Sequence, residues 1–376
     1  MTTTEVQARG RRLRRSNCAG PGLRRLRRGR GFSYVDDHGA PIDDPEVLER
    51  VRSMAIPPAW KDVWICPDSM GHLQATGIDA AGRKQYLYHP KWREHRDRAK
   101  FARMLDFGRG LPRLRRRIVA QLESPEPTRE HVLACAVRLL DVGVFRIGGE
   151  QYADDDGGLG LATLHRDHVT LHADSIEFDY PAKGGAQRRQ VIADPASYDL
   201  IATLRRRRAG GDQLLAYREL RRWHPIRSDD INDYLKQHLG EDFSAKDFRT
   251  WNGTVMAAVS LGTHGLDAAT KTARKRAMDR AVREVSQLLG NTPAVARRSY
   301  IDPRVFDRYE SGWTIAGVLG RIPDPGGIDD RIRAKIERGV LDLLDDDRRS
   351  PALAKLAKPE KPEKPEKPEK IGKQAA

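Results

Sequence analysis

Short alternating patterns of apolar and polar residues dominate the chain between Phe32 and Arg103. Residues 63–68, VWICPD, alternate as a strand does, and the glycines within residues 71–90 mark chain reversals. A basic stretch from Lys91 to Leu105 follows and predicts a helix. This part of the chain is therefore expected to be a small, mostly β domain that ends in a basic helix.

Helical patterns dominate from Thr128 onward. Thr128 is predicted to cap a helix with an apolar face that ends at Gly143. A β-hairpin is predicted next, with strands in HVTL, SIEFDY and QRRQVI and its turn in PAKGGA, residues 181–186. Further helices are predicted from Ser228 to Gly240, from a capping box of Ser244 and Asp247, and from Asp267 to Leu289.

Changes in composition divide the chain into five parts. Residues 1–30 form an arginine-rich, glycine-punctuated arm that we expect to stay disordered until it meets phosphates. A β-rich domain, residues 31–121, is separated by a proline-containing linker, 122–130, from a larger, mainly α domain, 131–345. The KPEK repeats place residues 346–376 in a solvated tail. The expected fold class is α+β.

The charge balance points to a polyanionic partner. The 376 residues include 68 Lys and Arg against 53 Asp and Glu, a net charge of +15. Arginine dominates the basic set, and guanidinium groups suit bidentate contacts with phosphate. A pI near 9.8 favours nucleic acid over an acidic membrane surface as that partner. No apolar run approaches the length of a membrane span.

The sequence carries few signs of cofactor chemistry. Three scattered cysteines fit a reducing cytoplasm and predict no disulfide framework or CxxC metal site. His165 and His168 are interpreted as surface side chains on a strand, because no cysteine or carboxylate set completes a metal site. There is no Walker A sequence. We therefore expect a cytoplasmic protein that acts on nucleic acid and uses neither ATP nor a metal.

Four polar residues are predicted at junctions between these elements. Arg146 lies just past one helix end, and Lys183 is at the tip of the hairpin. Arg249 is in the first turns of a capped helix, and Asn291 directly follows another helix end. Binding and catalytic groups concentrate at such positions on a rigid frame. Each residue taken singly also suits a salt bridge, a turn or a helix cap.

The segment NTPAVARRSYIDP, residues 291–303, carries Tyr300 behind two arginines. Thr292 and Pro293 are predicted as N-cap and first residue of a short helix that Pro303 stops. A phenol with a pKa of about 10 is a poor nucleophile until cations or a base lower that value. Tyr300 therefore has the surroundings that attack on a phosphodiester needs. An ordinary half-buried tyrosine beside solvated arginines would show the same pattern.

Four segments in order give the chain a family resemblance, from about Arg12 to Gly312. The segments are IPPAWKDVWICPDSMGHLQATGIDAAGRKQYLYHP, FRIGGEQYADDDGGLGLATLHRDHV, INDYLKQHLGEDFSAKDFRTWNGT and NTPAVARRSYIDP. With them the chain resembles the bacterial, poxvirus-like members of the type IB DNA topoisomerases. This resemblance implies their fold and the relaxation of supercoiled DNA through a transient 3′-phosphotyrosyl nick.

The resemblance implies that Tyr300 is the nucleophile, with Arg146, Arg249 and Asn291 on the scissile phosphate and Lys183 as general acid. Asn291 stands where many relatives carry histidine. Two departures from the family pattern are AK at residues 182–183 in place of GK, and GG at residues 148–149 in place of GN. The first makes Lys183 the least secure assignment. The other candidate proton donors are Lys84, Arg188 and Arg189.

The segment GRKQYLYHP, residues 82–90, resembles the family's DNA-reading edge. On a strand, Tyr86 and Tyr88 share one face and could enter the major groove together, whereas the alternative is a pair that faces the core. The predicted DNA contacts are Gln85, Tyr86, Tyr88, Arg83, Lys84 and, in the second segment, Tyr152. We expect a monomer that clamps duplex DNA between its two domains, with binding that depends steeply on salt.

Two other functions remain open from the sequence. A tyrosine recombinase shares the Arg, Lys, Arg and Tyr chemistry, but usually has HxxR where this chain has KDFR, residues 246–249. Recombination also needs assembled protomers, so the mass of the complex on DNA would separate the two. A non-catalytic architectural protein would use only the basic arm and tail, and would form no covalent adduct.

Overall fold

The computed structural model describes residues 12–124, 126–149, 158–266, 268, 270–322 and 329–356. These residues form two compact units that divide between Ala102 and Arg103. Mixed α and β structure confirms the predicted α+β class. In these ranges, no helix combines the length and the apolar character needed to cross a bilayer.

The first unit is built on an antiparallel sheet in the order β2-β1-β3-β4-β5. Its buried core joins Leu23, Val63, Ile65 and Ala75 of the sheet to Val51 of a covering helix. The elements are β1 (Leu23–Arg28), β2 (Gly31–Val35), α1 (Pro45–Ser53), β3 (Lys61–Ile65), β4 (Leu73–Ile78) and β5 (Lys84–Tyr88).

The predicted disordered arm is wrong for its second part, because β1 lies inside it. Leu23 is buried, and Arg25 donates hydrogen bonds to the carbonyls of Ile56, Pro57 and Trp60. Gly29 takes a positive φ of 56° in the turn to β2. An arginine in this leucine- and arginine-rich strand can thus satisfy backbone acceptors, which a count of charge cannot reveal. Residues 1–11 of the arm lie outside the described residues.

The predicted basic helix is much longer than the pattern indicated. Helix α2 (Pro90–Leu122) continues through Gly108, Gly110 and Pro112, which resemble a helix end in the sequence. A Cβ on Gly108 would lie 2.5 Å from the Trp251 ring, so the glycine allows a close helix contact. Only a short turn then separates α2 from the next helix, within the linker predicted at residues 122–130.

The described part of the second unit is mainly helical and contains three small antiparallel sheets. It contains α3 (Arg129–Gly143), 3-10 turns at Leu161–Thr163 and Arg166–His168, β6 (Val169–Leu171), β7 (Ile176–Pro181), β8 (Gln187–Ile192), α4 (Pro195–Arg206), β9 (Ala216–Glu219), β10 (Arg222–Pro225), α5 (Ser228–Leu239), α6 (Ala245–His264), α7 (Lys271–Leu289), α8 (Pro293–Tyr300), α9 (Pro303–Glu310), β11 (Trp313–Thr314), α10 (Ala316–Leu319), α11 (Asp330–Leu344) and β12 (Ala354–Lys355).

The capping residues predicted from the sequence are confirmed. The side chains of Thr128 and Thr292 accept the first-turn amides of α3 and α8, and Ser244 forms a capping box with Asp247. The three-stranded sheet β6-β7-β8 confirms the hairpin. Helix α7 starts at Lys271, behind the cap Thr270, and not at residue 267 as predicted.

The predicted tail begins too early. Strand β12 pairs with β11, and Leu353 and Leu356 are buried. Residues 346–356 therefore belong to the folded unit, because the apolar side chains of Leu353 and Leu356 pack into it despite the charged residues around them. The KPEK repeats lie outside the described residues.

A buried ion cluster joins α2, α3, α6 and α11. Arg115 donates to both Asp141 and Glu337, and the indole of Trp251 donates to Glu337 at 3.1 Å. Arg333 donates to Asp141 at 2.6 Å. All of these polar atoms are satisfied within the cluster, so it fixes how the helices that carry the site pack together.

We expect Glu337→Ala to lower the free energy of unfolding by about 3–5 kcal/mol, because it leaves the guanidinium groups of Arg115 and Arg333 to share a single carboxylate, that of Asp141. The matched control is Glu94→Ala, which breaks an exposed pair with Arg98 and should cost about 0.5 kcal/mol or less. Chemical denaturation measures both. Equal losses would show that the cluster does not stabilise the helix packing.

Candidate active site

Arg146 is positioned by the end of α3 and by a glycine contact. Val144 takes a left-handed φ of 55° after α3, and Phe145 is buried against Phe178. The carbonyl of Arg146 then accepts a hydrogen bond from Leu161 at 2.8 Å. Gly148 has a φ of 77°, and its Cβ would lie 2.8 Å from the Cα of Gly160. This crossing of two backbone segments directs the Arg146 side chain away from the buried core.

Arg249 is buried at the start of α6, with 3% of its surface exposed. Its guanidinium donates to the carbonyls of Val144 at 2.8 Å and Leu289 at 2.7 Å, which are the ends of α3 and α7. Its Nε is buried and makes no hydrogen bond to any described residue. Burial, helped by the charge of Arg146, lowers the pKa of Arg249 to about 10.

Asn291 lies beside Arg146 at the end of α7. The helix ends at Gly290 with a left-handed φ of 58°. Arg146 Nη2 donates to the Gly290 carbonyl at 2.9 Å and to Asn291 Oδ1 at 2.5 Å. The Nδ2 of Asn291 is buried and has no partner among the described residues. The site therefore contains a second unused donor.

Tyr300 is the last residue of α8, and its backbone is held by α6. A Cβ on Gly253 would lie 2.6 Å from the Tyr300 carbonyl, so the helices touch at this point. The Tyr300 ring centroid lies 5.3 Å from Cζ of Arg249. Pro303 was predicted to stop the helix, but it does more than that. It begins α9 behind the cap Asp302, and this turn fixes the direction of α8.

Lys183 lies in the turn between β7 and β8, as predicted. The turn is closed by Ala182 and Ala186 and carries Gly184 and Gly185 at positive φ. A Cβ on Gly158 would lie 2.7 Å from Cα of Lys183. The alanine that replaces the usual glycine at position 182 is buried, so the fold accommodates its methyl group.

A backbone path links the hairpin turn to the arginines. Leu159 donates to the Pro181 carbonyl at 2.8 Å, and two residues later Leu161 donates to the Arg146 carbonyl. The structure thus brings Arg146, Arg249, Asn291 and Tyr300 into one cluster, and it anchors the turn that carries Lys183 to the same frame. Tyr152 lies outside the described residues.

The other proton-donor candidates have different surroundings. Arg189 pairs with Glu177, which lowers the pKa of that carboxylate to about 2. Arg188 donates to the carbonyl of Leu288 at 2.7 Å. Lys84 lies in the first unit, near the Tyr86 ring.

Sequence reasoning missed the carbonyls that hold the arginines. The acceptors of Arg249 and Arg146 are main-chain oxygens at helix ends, and a pattern of side chains contains no signal for them. The helix stops at residues 143 and 290 were the available indication.

In the first unit, β5 is an edge strand that exposes Lys84, Tyr86 and Tyr88 on one face. The tyrosine rings stack with centroids 6.3 Å apart. The alternative of a core-facing pair is therefore wrong. Gln85 lies on the other face and donates to Asp79 at 2.8 Å, and Arg83 also pairs with Asp79.

The interpretation of His165 and His168 needs correction. They flank a 3-10 turn, not a strand, and Asp167 lies with them in a cluster whose ligand atoms are within 4.8 Å. However, His168 Nδ1 accepts the amide of His165 at 3.1 Å. With that lone pair in use, a metal on Nε2 would require the imidazolate anion, so the cluster is poorly suited to a metal.

Two family models match the chain. Residues 89–313, more than half of the chain, match the model described as eukaryotic DNA topoisomerase I, catalytic core. Residues 31–79 match the N-terminal domain of bacterial DNA topoisomerase IB. Together they cover β2 to β4 of the first unit and the whole cluster around Tyr300, whereas β5 with its exposed tyrosines lies between the two matches.

Named viral proteins are similar over most of their length. DNA topoisomerase 1B of Acanthamoeba polyphaga mimivirus is 26% identical over 285 residues, which is 74% of this chain and 84% of the relative. DNA topoisomerase I of monkeypox virus and DNA topoisomerase 1B of vaccinia virus (strain Copenhagen) are each 18% identical over 270 residues, 70% of this chain and 82% of theirs. The chain belongs to the type IB DNA topoisomerases, enzymes that relax supercoiled DNA.

Proposed function

We propose that Tyr300 is the nucleophile of this topoisomerase and that Arg146, Arg249 and Asn291 hold the scissile phosphate. The observation that carries this assignment is a pair of buried donors, Arg249 Nε and Asn291 Nδ2, which have no partner in the described part of the chain and lie in a cluster with the Tyr300 ring. Buried donors are costly when unsatisfied. A phosphate oxygen is the acceptor that would satisfy them.

The cluster suits the charge that develops during cleavage. Attack of the Tyr300 oxygen on phosphorus gives a pentacoordinate transition state whose non-bridging oxygens gain negative charge. Guanidinium groups fixed by carbonyl acceptors need no rearrangement to donate to those oxygens. Asn291 adds a neutral hydrogen bond through an amide that cannot titrate.

Arg249 contributes a charge that the free protein holds at a cost. A pKa lowered to about 10 means that the folded chain binds this proton less tightly than an exposed arginine does, although the group stays protonated at neutral pH. A bound phosphate favours the charged form. We therefore expect bound DNA to offset part of the desolvation free energy of the buried Arg249 guanidinium.

Lys183 is proposed as the general acid. The deoxyribose 5′-oxygen leaves poorly as an alkoxide, so a proton must reach it as the bond to phosphorus breaks. The product is a 3′-phosphotyrosyl bond. A phenolate leaves more readily than an alkoxide, so attack by the 5′-hydroxyl reseals the strand. The covalent bond conserves the phosphodiester energy, and the downstream duplex rotates before resealing.

The first unit is proposed to read the duplex through Tyr86 and Tyr88, with Lys84 neutralising phosphate beside them. Their shared exposed face on an edge strand supports this role. Gln85 and Arg83 would have to leave Asp79 to reach DNA. We further propose a nucleoid-associated cytoplasmic monomer that clamps duplex DNA. The mass of the complex on a short duplex tests the monomer.

The assignment of Tyr300 is tested with a suicide oligonucleotide whose 5′ leaving strand dissociates after cleavage. We expect a covalent adduct without ATP and in the presence of EDTA, and peptide mapping should find the nucleotide on the peptide that contains Tyr300. An adduct on any other tyrosine would refute the assignment.

Asn291→His should add a pH dependence that the wild-type amide lacks. An imidazolium donates a charge-assisted hydrogen bond to phosphate, so the cleavage rate relative to wild type should rise as the pH falls through about 6.5. Single-turnover cleavage between acidic and neutral pH measures this. Gln287→His, on the exposed side of α7, is the control and should leave the profile unchanged. A flat profile for Asn291→His would place Asn291 away from the phosphate.

A further inference from the structure

Three arginines from different elements converge on the end of α7. Arg188 Nη2 donates to the Leu288 carbonyl at 2.7 Å, Arg249 Nη2 to Leu289 at 2.7 Å and Arg146 Nη2 to Gly290 at 2.9 Å. Three successive carbonyls are thus each bound by one guanidinium. Two of these arginines belong to the phosphate site proposed above, and the third has no role in it.

Arg188 also connects this helix end to the end of α3. Its Nε donates to Gln190 Oε1 at 2.9 Å, and Gln190 Nε2 donates to the Gly143 carbonyl at 2.6 Å. The hydroxyl of Tyr180 donates to the same Oε1 at 3.0 Å. Arg188 is therefore the centre of a bridge between the two helix ends that carry Arg146 and Asn291.

The backbone leaves room for Arg188 at one position. A Cβ on Gly290 would lie 2.5 Å from Arg188 Nη1, and Gly290 has a φ of 58°. The glycine thus ends the helix and also lets the guanidinium cross it. Any side chain at position 290 would strain the backbone and displace Arg188.

The charge of the cluster is not balanced by acidic side chains. Within the described residues, the hydrogen bonds of Arg146, Arg188 and Arg249 go to carbonyl, amide and tyrosine hydroxyl oxygens and never to a carboxylate. Burial lowers the pKa of Arg188, and Arg146 acts in the same direction. The partial negative charge of a helix C-terminus offsets only part of this repulsion. An anion such as the scissile phosphate supplies the rest.

We propose that Arg188 is a positioning residue for DNA cleavage, which holds the ends of α3 and α7 together so that Arg146 and Asn291 meet the same phosphate. This inference rests on the proposed roles of those two residues. The proposal gives Arg188 no part in acid catalysis, because its Nη2 and Nε donors are directed to Leu288 and Gln190. Its positive charge adds to the potential at the phosphate.

Arg189 provides a matched control on the same strand. Its side chain pairs with Glu177 on the opposite side of β8 and is 69% exposed. Successive residues of a strand face opposite ways, so the two arginines share an element and differ only in what they contact. Arg189→Ala should cleave as wild type does.

The test compares Arg188→Ala, Arg188→Lys and Arg189→Ala with wild type and with Tyr300→Phe. Single-turnover cleavage, duplex affinity and melting temperature are measured for each protein. We expect Arg188→Ala to slow cleavage roughly 10²-fold, with affinity and melting temperature close to those of wild type, because a small misplacement of the clamp is costly. Arg188→Lys should not restore the rate, since an ammonium cannot bridge both acceptors.

A substrate with a 5′ thiol leaving group separates positioning from acid catalysis. We expect no rescue of Arg188→Ala on it. Rescue would make Arg188 a proton donor and overturn the proposal, as would wild-type cleavage by Arg188→Ala or a matching loss of melting temperature. If the wild-type protein forms no adduct through Tyr300, the proposed role of Tyr300 is rejected. If wild type and Arg188→Ala cleave equally well, only the proposed role of Arg188 is rejected, so the two failures can be told apart.

Discussion

Tyr300→Phe is expected to abolish relaxation of supercoiled plasmid, with a loss of about 10⁴-fold or more, because the variant lacks the attacking oxygen. The phenyl ring keeps the shape of the side chain, and α8 keeps its cap at Thr292 and its contact with Gly253. Binding to duplex DNA should therefore persist. The measurement is relaxation in EDTA without ATP, with covalent adduct detected after denaturation.

The matched control is Tyr217→Phe. Tyr217 is half-buried on β9 and stacks on His224, away from the cluster of arginines. It should relax plasmid at the wild-type rate. Full relaxation by Tyr300→Phe would reject the catalytic assignment. Loss of both relaxation and DNA binding would show that the substitution disturbs the fold or the DNA-binding surface and not the chemical step alone.

Lys183→Ala is expected to slow cleavage by roughly 10²–10⁴-fold, the range for removing a general acid. The turn should survive, because its closure depends on Ala182, Ala186 and the two glycines and not on the lysine side chain. Single-turnover cleavage of a suicide oligonucleotide measures the loss. Lys236→Ala, which removes a surface lysine paired with Asp233, is the control and should have no effect.

A thiol leaving group gives the sharper form of this experiment. A thiolate, with a pKa of about 8.5, leaves without a proton, so the substrate with a 5′-bridging sulfur should largely restore cleavage by Lys183→Ala. Absence of rescue would assign the acid to another residue. The same substrate should not rescue Arg188→Ala, so the two experiments together separate protonation from positioning.

Local signals in the sequence predicted much of the second unit. Thr128, Thr292 and Ser244 start helices where the capping rules place them, since a cap depends on residues within one turn. The hairpin around Lys183 was predicted for the same reason, from alternation and a glycine-containing turn. The family signature then identified the residues around Tyr300 before any contact was known.

Predictions that depend on distant partners were wrong. Helix α2 continues through Gly108 and Pro112 because the Trp251 ring fills the space beside the glycine. The arm becomes β1 because Arg25 finds three carbonyls some thirty residues away in the sequence. Propensity rules alone treat glycine, proline and arginine runs as breaks, and tertiary contacts outweigh that tendency here.

By itself the sequence determined the family resemblance and most of the elements that carry the candidate site, because these depend on residue type and local pattern. Through that resemblance it also proposed Tyr300, Arg146, Lys183, Arg249 and Asn291 as the site residues. Only the tertiary structure decided how the arginines are held. Their acceptors are carbonyls at the ends of α3 and α7, which meet only after folding. It also showed that Arg188 joins those ends through Leu288 and Gln190. The sequence could not show this, because a pattern of side chains contains no information on which backbone oxygens will lie nearby.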